Sequence, residues 1–261
     1  MSAKSPAVSP VGAYDCFFHG LERMEYESGA PDRLCDWALG WRHPEPCGVG
    51  VVVLHGHGSG GDQICTWPQL EPWREALRKN GCGFLSPNLR GNAWMCPDAV
   101  TDLADLIVFC KAHFDWHRIV ICSGSMGASG GLIFSAIHPE LIDGVIALGA
   151  ATDLASYADW CEKQSLDVCR RIASAIRTSY GNDAGIMRRH SVCANASRLS
   201  MPVMLRHGTD DRTIPVSQAR RLAGALAEKT DFFYGEIYRG DHDSPCLFMP
   251  DDLPRLLDQI L

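Results

Sequence analysis

The chain has 261 residues, of which 46% are hydrophobic and 21% charged, and its formal net charge is −7 at pH 7. This composition is typical of a folded globular protein and excludes collagen, coiled-coil and disordered classes. The acidic balance argues against nucleic acid or an anionic membrane as a partner, because both require a positive field. Since no segment resembles a linker, we predict a single domain over residues 1–261.

The termini and the cysteines indicate a cytoplasmic protein. No apolar segment approaches the roughly 20 residues of a membrane span, and no apolar run follows Lys4 as in a signal peptide. Residues 1–12 are rich in Ser, Ala and Pro, so we expect them to be disordered. The 12 cysteines form no C-x-x-C pair, and several, such as Cys110 and Cys122, lie in apolar runs. We expect reduced thiols packed as small hydrophobic side chains.

Strands and helices alternate along most of the chain. Short strands are predicted within 14–41, and further strands at 51–54, 83–88, 118–122, 144–150, 202–208 and 232–238. Helices are predicted at 67–80, around 103–110, from the glycine-rich stretch to about 138, around 219–226, and at 246–261. This alternation predicts an α/β fold with a mostly parallel, doubly wound sheet and helices on both faces.

Residues 154–200 interrupt the alternation. About 50 residues separate two predicted strands here, which is too long for an ordinary connection. Val168, Ile172 and Ile176 lie one helical turn apart within it. We predict a small, cap-like helical insertion.

The junction at residues 118–131, RIVICSGSMGASGG, carries the strongest chemical signal. In a nucleophile elbow, the serine directly follows a strand, and the residues two positions before and after it must be small because two backbones pass close together. Ser125 meets these conditions, with Ser123 before it and Gly127 after it. Ser125 is therefore the candidate nucleophile, although Ser123 replaces the usual glycine. An unreactive Gly/Ser loop is the alternative for this motif alone.

A literal search for G-x-S-x-G selects a different serine, Ser129, between Gly127 and Gly131. Ser129 lies a full turn beyond the end of the predicted strand, on the helix that would pack against the sheet. The geometry of an elbow therefore favours Ser125 over Ser129.

The glycine-rich stretch 51–62, VVVLHGHGSGGD, allows three interpretations. A dinucleotide site would fit G-x-G-x-x-G, but it needs an acid at the end of the next strand, and residues 86–90 contain none. His55 and His57 could begin a metal site, but the acid and the further histidine of a metallohydrolase motif are missing. The third interpretation is a loop that turns a backbone N–H towards an oxyanion, which glycines permit. We expect this role, with no metal and no cofactor.

Two polar loops late in the chain complete the candidate site. Asp211 in HGTDDRTIP and His242 in GDHDSP each follow a predicted strand. A carboxylate at a strand end can orient a histidine, and the chain order Ser…Asp…His is that of hydrolases with a nucleophile elbow. Asp153, after the strand at 144–150, is the rival acid, whereas Asp210 is expected only to cap the next turn.

Through these motifs the sequence resembles the α/β-hydrolase superfamily over about residues 49–245. The matching stretches are LHGHGSGG, SGSMGASGG, HGTDDRTIP and GDHDSP. The sequence is most similar to the branch of prolyl-oligopeptidase-like peptidases, acetyl-xylan and feruloyl esterases and dienelactone hydrolases. The resemblance implies an α/β-hydrolase fold with Ser125 as nucleophile, Asp211 as the acid and His242 as the base.

The resemblance also implies the chemistry. The backbone N–H groups of His57 and Met126 match the oxyanion donors, and the expected activity is that of a serine esterase acting on small carboxylic esters. Trp94 and Met95 either line an acyl pocket or pack a loop. The related peptidases carry a large additional domain, and only about 50 residues precede LHGHGSGG, so esters are expected over peptides. A small serine peptidase and an inactive binding module are the alternatives, and homo-oligomer formation is left open.

Overall fold

The computed structural model describes residues 5–12 and 17–261, whose strands form one mixed sheet. In chain order the strands are β1 (Ala7–Pro10), β2 (Glu22–Glu27), β3 (Cys35–Trp41), β4 (Val49–Val52), β5 (Gly83–Pro87), β6 (Arg118–Gly124), β7 (Gly144–Leu148), β8 (Val203–Gly208) and β9 (Phe232–Ile237). Their order across the sheet is β1-β2-β3-β5-β4-β6-β7-β8-β9.

The sheet combines an antiparallel edge with a parallel body. β1, β2 and β3 pair antiparallel in succession, and β3 pairs antiparallel with β5. From β5 onwards, through β4 and β6 to β9, every pair is parallel. The carboxyl ends of the parallel strands meet at one edge, which is where such sheets bind ligands. The predicted fold class is confirmed.

Helices cover both faces of the sheet. They are α1 (Gln63–Thr66), α2 (Glu71–Lys79), α3 (Pro97–Phe114), α4 (Ser125–Ile137), α5 (Leu154–Glu162), α6 (Asp167–Ser179), α7 (Ala184–Arg189), α8 (Ser217–Ala225) and α9 (Met249–Ile260). Residues of α1, α2 and α9 join one apolar core, and residues of α3 to α6 and α8 join the other. Within the described ranges, no helix is both long and apolar enough to cross a bilayer.

Alternation along β6 shows how one strand serves both cores. Ile119 and Ile121 belong to the core beneath α4, whereas Val120 and Cys122 belong to the core beneath α9. Successive side chains of a strand point to opposite faces, so a strand covered on both faces needs a continuous apolar run. This requirement explains why the central strands could be located from sequence.

The segment 154–200 forms the predicted helical insertion between β7 and β8. It contains α5, α6 and α7 followed by a helical turn at Cys193–Arg198. Its buried residues join the same core as α4. The insertion therefore packs as part of the main body of the fold.

The amino-terminal prediction was wrong in part. Residues 7–10 were expected to be disordered, but they form β1, whose four residues pair with Glu22–Glu25 of β2. All four are exposed, so composition alone gave no sign of a strand, and backbone pairing with the neighbouring strand holds them. Residues 1–4 and 13–16, which the sequence predictions also covered, lie outside the described residues.

A buried ion pair ties β8 to α9. Arg206 Nε and Nη2 donate to the two carboxylate oxygens of Asp252 at 2.5 and 2.7 Å, and Asp252 is fully buried. The guanidinium also lies over the rings of Phe233 and Phe248, at 4.8 and 4.4 Å from the ring centres. Arg206, an unusual residue for an inner strand, thus has a partner that compensates its charge.

We predict that Asp252→Asn destabilises the fold strongly. The substitution leaves the Arg206 guanidinium buried without a counter-charge, so the free energy of unfolding should fall by about 3–5 kcal/mol. Urea denaturation followed by circular dichroism measures the change. Asp251→Asn is the matched control, because Asp251 is the exposed neighbour in the same helix. Equal losses in the two variants would contradict the role of the pair.

Candidate active site

Ser125 occupies a sharp turn between β6 and α4. Its φ is +56°, a left-handed conformation that is unfavourable for a residue with a side chain. A Cβ at Gly127 would lie 2.2 Å from the carbonyl oxygen of Leu54, so only glycine fits there. The turn therefore has the backbone strain and the close approach of a nucleophile elbow.

The departure at Ser123 has a structural explanation. Ser123 is fully buried, and its Oγ accepts a hydrogen bond from the backbone N–H of Leu54 at 2.8 Å. β4 ends at Val52, so this N–H lies just beyond the strand. The serine hydroxyl satisfies it and ties the elbow to the loop that follows β4.

Ser129 lies away from the turn, on the buried side of α4. Its Oγ donates to the carbonyl of Ser125 at 3.0 Å and accepts from the backbone N–H of Ala151 at 2.8 Å. Both bonds are structural, and Ser129 is fully buried.

The structure brings Ser125, His242 and Asp211 together from three different loops. His242 Nε2 lies 2.9 Å from Ser125 Oγ, and His242 Nδ1 lies 2.7 Å from Asp211 Oδ2. Both distances are those of good hydrogen bonds. The Ser125 hydroxyl can therefore pass its proton to the imidazole, whose other nitrogen is held by the carboxylate.

Four donors surround the Asp211 carboxylate. Oδ1 accepts from the backbone N–H groups of Thr213 and Ile214 at 2.8 and 2.9 Å, and Oδ2 faces His242 and also His207 Nε2 at 3.3 Å. Burial disfavours the charged form, but these donors outweigh it and hold the pKa of Asp211 well below its usual range. Asp211 is thus an anion at neutral pH.

The contact between His207 and Asp211 was not predicted from the sequence. It is fully buried, and its Nε2 donates to the carbonyl of Ile214 at 2.8 Å. The sequence could have suggested this contact, because His207 lies four residues before Asp211 at the end of a predicted strand.

The pKa of His242 reflects opposing influences. Burial by itself lowers it, but the hydrogen bond and charge of Asp211, together with the charges of Asp243 and Asp241, raise the pKa above its usual value. Because the neutral ring is the base, activity should increase as the pH rises through this raised pKa.

The competing acids lie elsewhere. Asp153 accepts from the N–H of Ser156 at the start of α5 and pairs with Arg221 at 3.2 Å. Asp210 is exposed and makes a side-chain contact with Thr209. The expectation that Asp210 caps the next turn was wrong, because Asp211 Oδ1 accepts the backbone N–H groups of that turn.

The two expected oxyanion donors come from the start of α4 and from the loop after β4. Met126 is the second residue of α4, and the first N–H groups of a helix have no partner within it. His57 lies in the loop after β4, in a turn closed by Ser59 N–H and the carbonyl of Gly56 at 3.2 Å. His55 holds this loop, since its Nε2 lies 2.9 Å from the carbonyl oxygen of Asn88.

The side chains of His55 and His57 do not form a metal site. The His57 ring packs against Trp94, whose Nε1 donates to His57 Nδ1 at 3.3 Å. Burial and the nearby charge of Arg171 lower the pKa of His57. Among the described residues, no three or more His, Cys, Asp or Glu side chains are grouped as metal ligands.

Trp94 and Met95 are buried beside the elbow. They are 1% and 3% exposed, and both have a positive φ. With Leu54 and Met126 they line a cavity of about 20 Å³, enough for roughly one water molecule. The insertion fixes their strained backbone, because the Tyr180 hydroxyl donates to both of their carbonyls at 2.8–2.9 Å.

A wider groove separates the loop after β4 from α6 of the insertion. Its volume is about 720 Å³, and its lining includes His57, Gly58, Asn92, Arg171, Ser174 and Thr178. The lining also includes the apolar side chains of Val168 and Ala175, so it is of mixed character.

Comparison with known proteins agrees with this architecture. A family model described as alpha/beta hydrolase fold matches residues 50–168. An S-formylglutathione hydrolase from Agrobacterium tumefaciens superposes with a TM-score of 0.70 at 16% identity, over 99% of this chain and 100% of that chain. The chain has the α/β-hydrolase fold. Lipase A of Candida antarctica shares this hydrolase fold with a TM-score of 0.78 at 9% identity, over 99% and 82% of the two chains.

One sequence relative is more similar over a shorter stretch. A probable proline iminopeptidase from Leptolyngbya boryana is 36% identical over 111 residues, which are 40% of this chain and 32% of that protein. The chain thus matches about a third of the length of this curated relative.

We predict that Ser125→Ala abolishes covalent labelling by a fluorophosphonate, because the reagent reacts with an activated serine hydroxyl. Ser129→Ala should still be labelled, since the Ser129 hydroxyl is engaged in structural hydrogen bonds. In-gel fluorescence of the folded variants, checked by circular dichroism, measures the difference. Loss of labelling in folded Ser129→Ala, with labelling retained in Ser125→Ala, would reverse the assignment.

We also predict the effect of Asp211→Asn on the pH profile. In the wild-type protein, kcat should rise with pH with a midpoint above the roughly 6.5 of a free imidazole. The variant should lose roughly 10⁴-fold in kcat, because the wrong tautomer of His242 is favoured. The pH midpoint of its remaining kcat should move to lower pH, since the charge that raises the pKa of His242 is gone.

The control for this experiment is Asp153→Asn. It should retain both the wild-type kcat and the wild-type midpoint, because Asp153 pairs with Arg221 and not with His242. A reversed outcome for the two variants would make Asp153 the functional acid.

Proposed function

We propose that the protein is a serine hydrolase that cleaves short-chain carboxylic esters through an acyl-enzyme intermediate. The observation that carries the proposal is the hydrogen-bonded chain from Ser125 Oγ through His242 to Asp211, at 2.9 and 2.7 Å. A solvated or merely structural serine does not require a partly buried imidazole and a buried carboxylate in line with it.

The acylation step follows from this alignment. His242 Nε2 takes the proton of Ser125 as Oγ attacks the ester carbonyl, and the ring becomes positively charged. Asp211 stabilises that charge and holds the Nδ1–H in place. His242 then returns the proton to the leaving alcohol, and water repeats the sequence to release the acid.

The oxyanion would form between the loop after β4 and the start of α4. The backbone N–H groups of His57 and Met126 would donate to it, each contributing about 3–4 kcal/mol to the stabilisation of the transition state. Met126 follows the nucleophile directly, and the bond between Ser123 and Leu54 keeps the other loop next to the elbow. Neither donation requires a side chain.

Buried side chains leave little space beside the elbow. Leu54, Trp94 and Met126 are each 6% exposed or less, and the cavity that they line measures about 20 Å³. Ser125 lines neither this cavity nor the groove of about 720 Å³ at His57 and Arg171. We infer a short acyl group from this close packing.

A small serine peptidase is the second candidate. The partial similarity to the proline iminopeptidase of Leptolyngbya boryana favours it. The same triad can act on amides, but an amine leaves only when it is protonated, whereas an alkoxide is a better leaving group. The inactive binding module is disfavoured by the hydrogen-bonded triad.

We predict that kcat/KM for 4-nitrophenyl acetate greatly exceeds that for 4-nitroacetanilide and for proline 4-nitroanilide. The first pair shares its acyl group and differs only in the leaving atom, so it isolates ester from amide chemistry. Absorbance of the released nitrophenol and nitroaniline measures both rates, with Ser125→Ala as the blank.

A higher kcat/KM on proline 4-nitroanilide would replace the esterase proposal with the peptidase. No turnover of any substrate, together with no fluorophosphonate labelling, would favour the binding module.

A further inference from the structure

Two cysteines lie next to each other at the amino ends of β4 and β5, whereas the elbow lies at the carboxyl ends of the parallel strands. Cys47 lies two residues before β4, and Cys82 lies directly before β5. Their Sγ atoms are 3.8 Å apart, although 35 positions separate them in the chain. The backbone N–H of Cys47 donates to the carbonyl of Gly81 at 2.9 Å, so the two loops are held together at this point.

The pair is chemically asymmetric. Cys82 is fully buried, whereas Cys47 is only partly buried and accessible to a small reagent. The contact with the Cys82 thiol, helped by backbone N–H groups at Val49 and Cys47, lowers the pKa of Cys47 to about 6. The same contact and burial raise the pKa of Cys82. The more exposed Cys47 is therefore the sulfur that a reagent meets first, with the buried Cys82 behind it.

The thiol pKa of several other cysteines is raised instead of lowered. Burial raises the pKa of the thiols of Cys96, Cys110, Cys122, Cys161, Cys169, Cys193 and Cys246. A thiol with a raised pKa reacts slowly, because the thiolate is the nucleophile. Cys47 combines partial exposure, a lowered pKa and a second sulfur 3.8 Å away.

We propose that Cys47 and Cys82 form an oxidation site at which a hydroperoxide converts the two thiols into an intramolecular disulfide. Cys47 Sγ first gives its proton to solvent and attacks the peroxide; an S–O bond forms, the O–O bond breaks, and the departing hydroxide or alkoxide takes a proton from solvent and leaves as water or alcohol. Cys82 Sγ then attacks Cys47 Sγ; the S–S bond forms, the S–O bond breaks, and water leaves with the proton of Cys82. Two thiols lose two electrons, and the peroxide gains them.

The position of the pair defines the effect of the bond. The Sγ atoms must approach from 3.8 Å to about 2.05 Å to form the bond. The bond closes a loop that contains α1 and α2, and it restricts the unfolded chain. It joins the amino ends of β4 and β5, whereas Ser125 lies at the carboxyl ends. Oxidation should therefore stabilise the protein and leave ester turnover unchanged.

The test treats the fully reduced protein with hydrogen peroxide, blocks the remaining thiols with N-ethylmaleimide and maps tryptic peptides by mass spectrometry. Residues 43–74 contain Cys47 and Cys65, and residues 80–90 contain Cys82. We expect these peptides to be linked, with fragmentation locating the link at Cys47, and dithiothreitol should separate them. The thermal midpoint of the oxidised protein should be roughly 5–10 °C above that of the reduced protein.

Two variants control the experiment. Cys47→Ser should lose both the link and the thermal shift, whereas Cys65→Ser, altered in the same peptide, should keep both. A link through Cys65, an oxidised but unlinked Cys47, or no oxidation of either residue would overturn the proposal. So would a thermal shift that persists in Cys47→Ser. The mapping of the wild-type protein decides the site even if a variant fails to fold.

Discussion

The close approach of one peptide segment to the nucleophile turn fixes the rest of the site. Leu54 is held by the elbow through both of its backbone groups: its N–H bonds to Ser123, and its carbonyl reaches a place where only Gly127 fits. The residues two before and two after Ser125 therefore set the position of the loop that follows β4. That loop carries His57, so nucleophile and expected oxyanion donor are positioned by the same contact. A glycine at position 123 would free the N–H of Leu54 from this bond.

The acid and the base depend on a second constraint, the satisfaction of a buried carboxylate. A buried anion is tolerated only when donors surround it, and Asp211 meets two backbone N–H groups, His242 and His207. The turn after β8 thereby fixes the carboxylate, and the carboxylate fixes the imidazole. The ion pair between Arg206 and Asp252 joins the same strand to the helix after His242, which anchors both loops to one frame.

The sequence predicted what depends on local sterics and periodicity. Central strands were found because a strand buried on both faces needs a continuous apolar run, and Ser125 was preferred because an elbow needs small neighbours two positions away. Contacts between distant segments were not predictable. The bond between Ser123 and Leu54 joins residues 69 positions apart, and the hydroxyl of Tyr180 reaches Trp94 across 86 positions. β1 was missed because its exposed side chains leave no pattern, and the choice of Asp211 over Asp210 as the turn cap depends on side-chain direction.

Nucleophile, base and both oxyanion donors, which come from separate loops, are expected to face a single reacting centre. A crystal structure of the protein after reaction with a short-chain fluorophosphonate tests it most directly. We expect phosphorus bonded to Ser125 Oγ, with the phosphoryl oxygen about 2.7–3.1 Å from the backbone nitrogens of both His57 and Met126. Phosphorus on another residue, or a phosphoryl oxygen directed away from these two nitrogens, would contradict it.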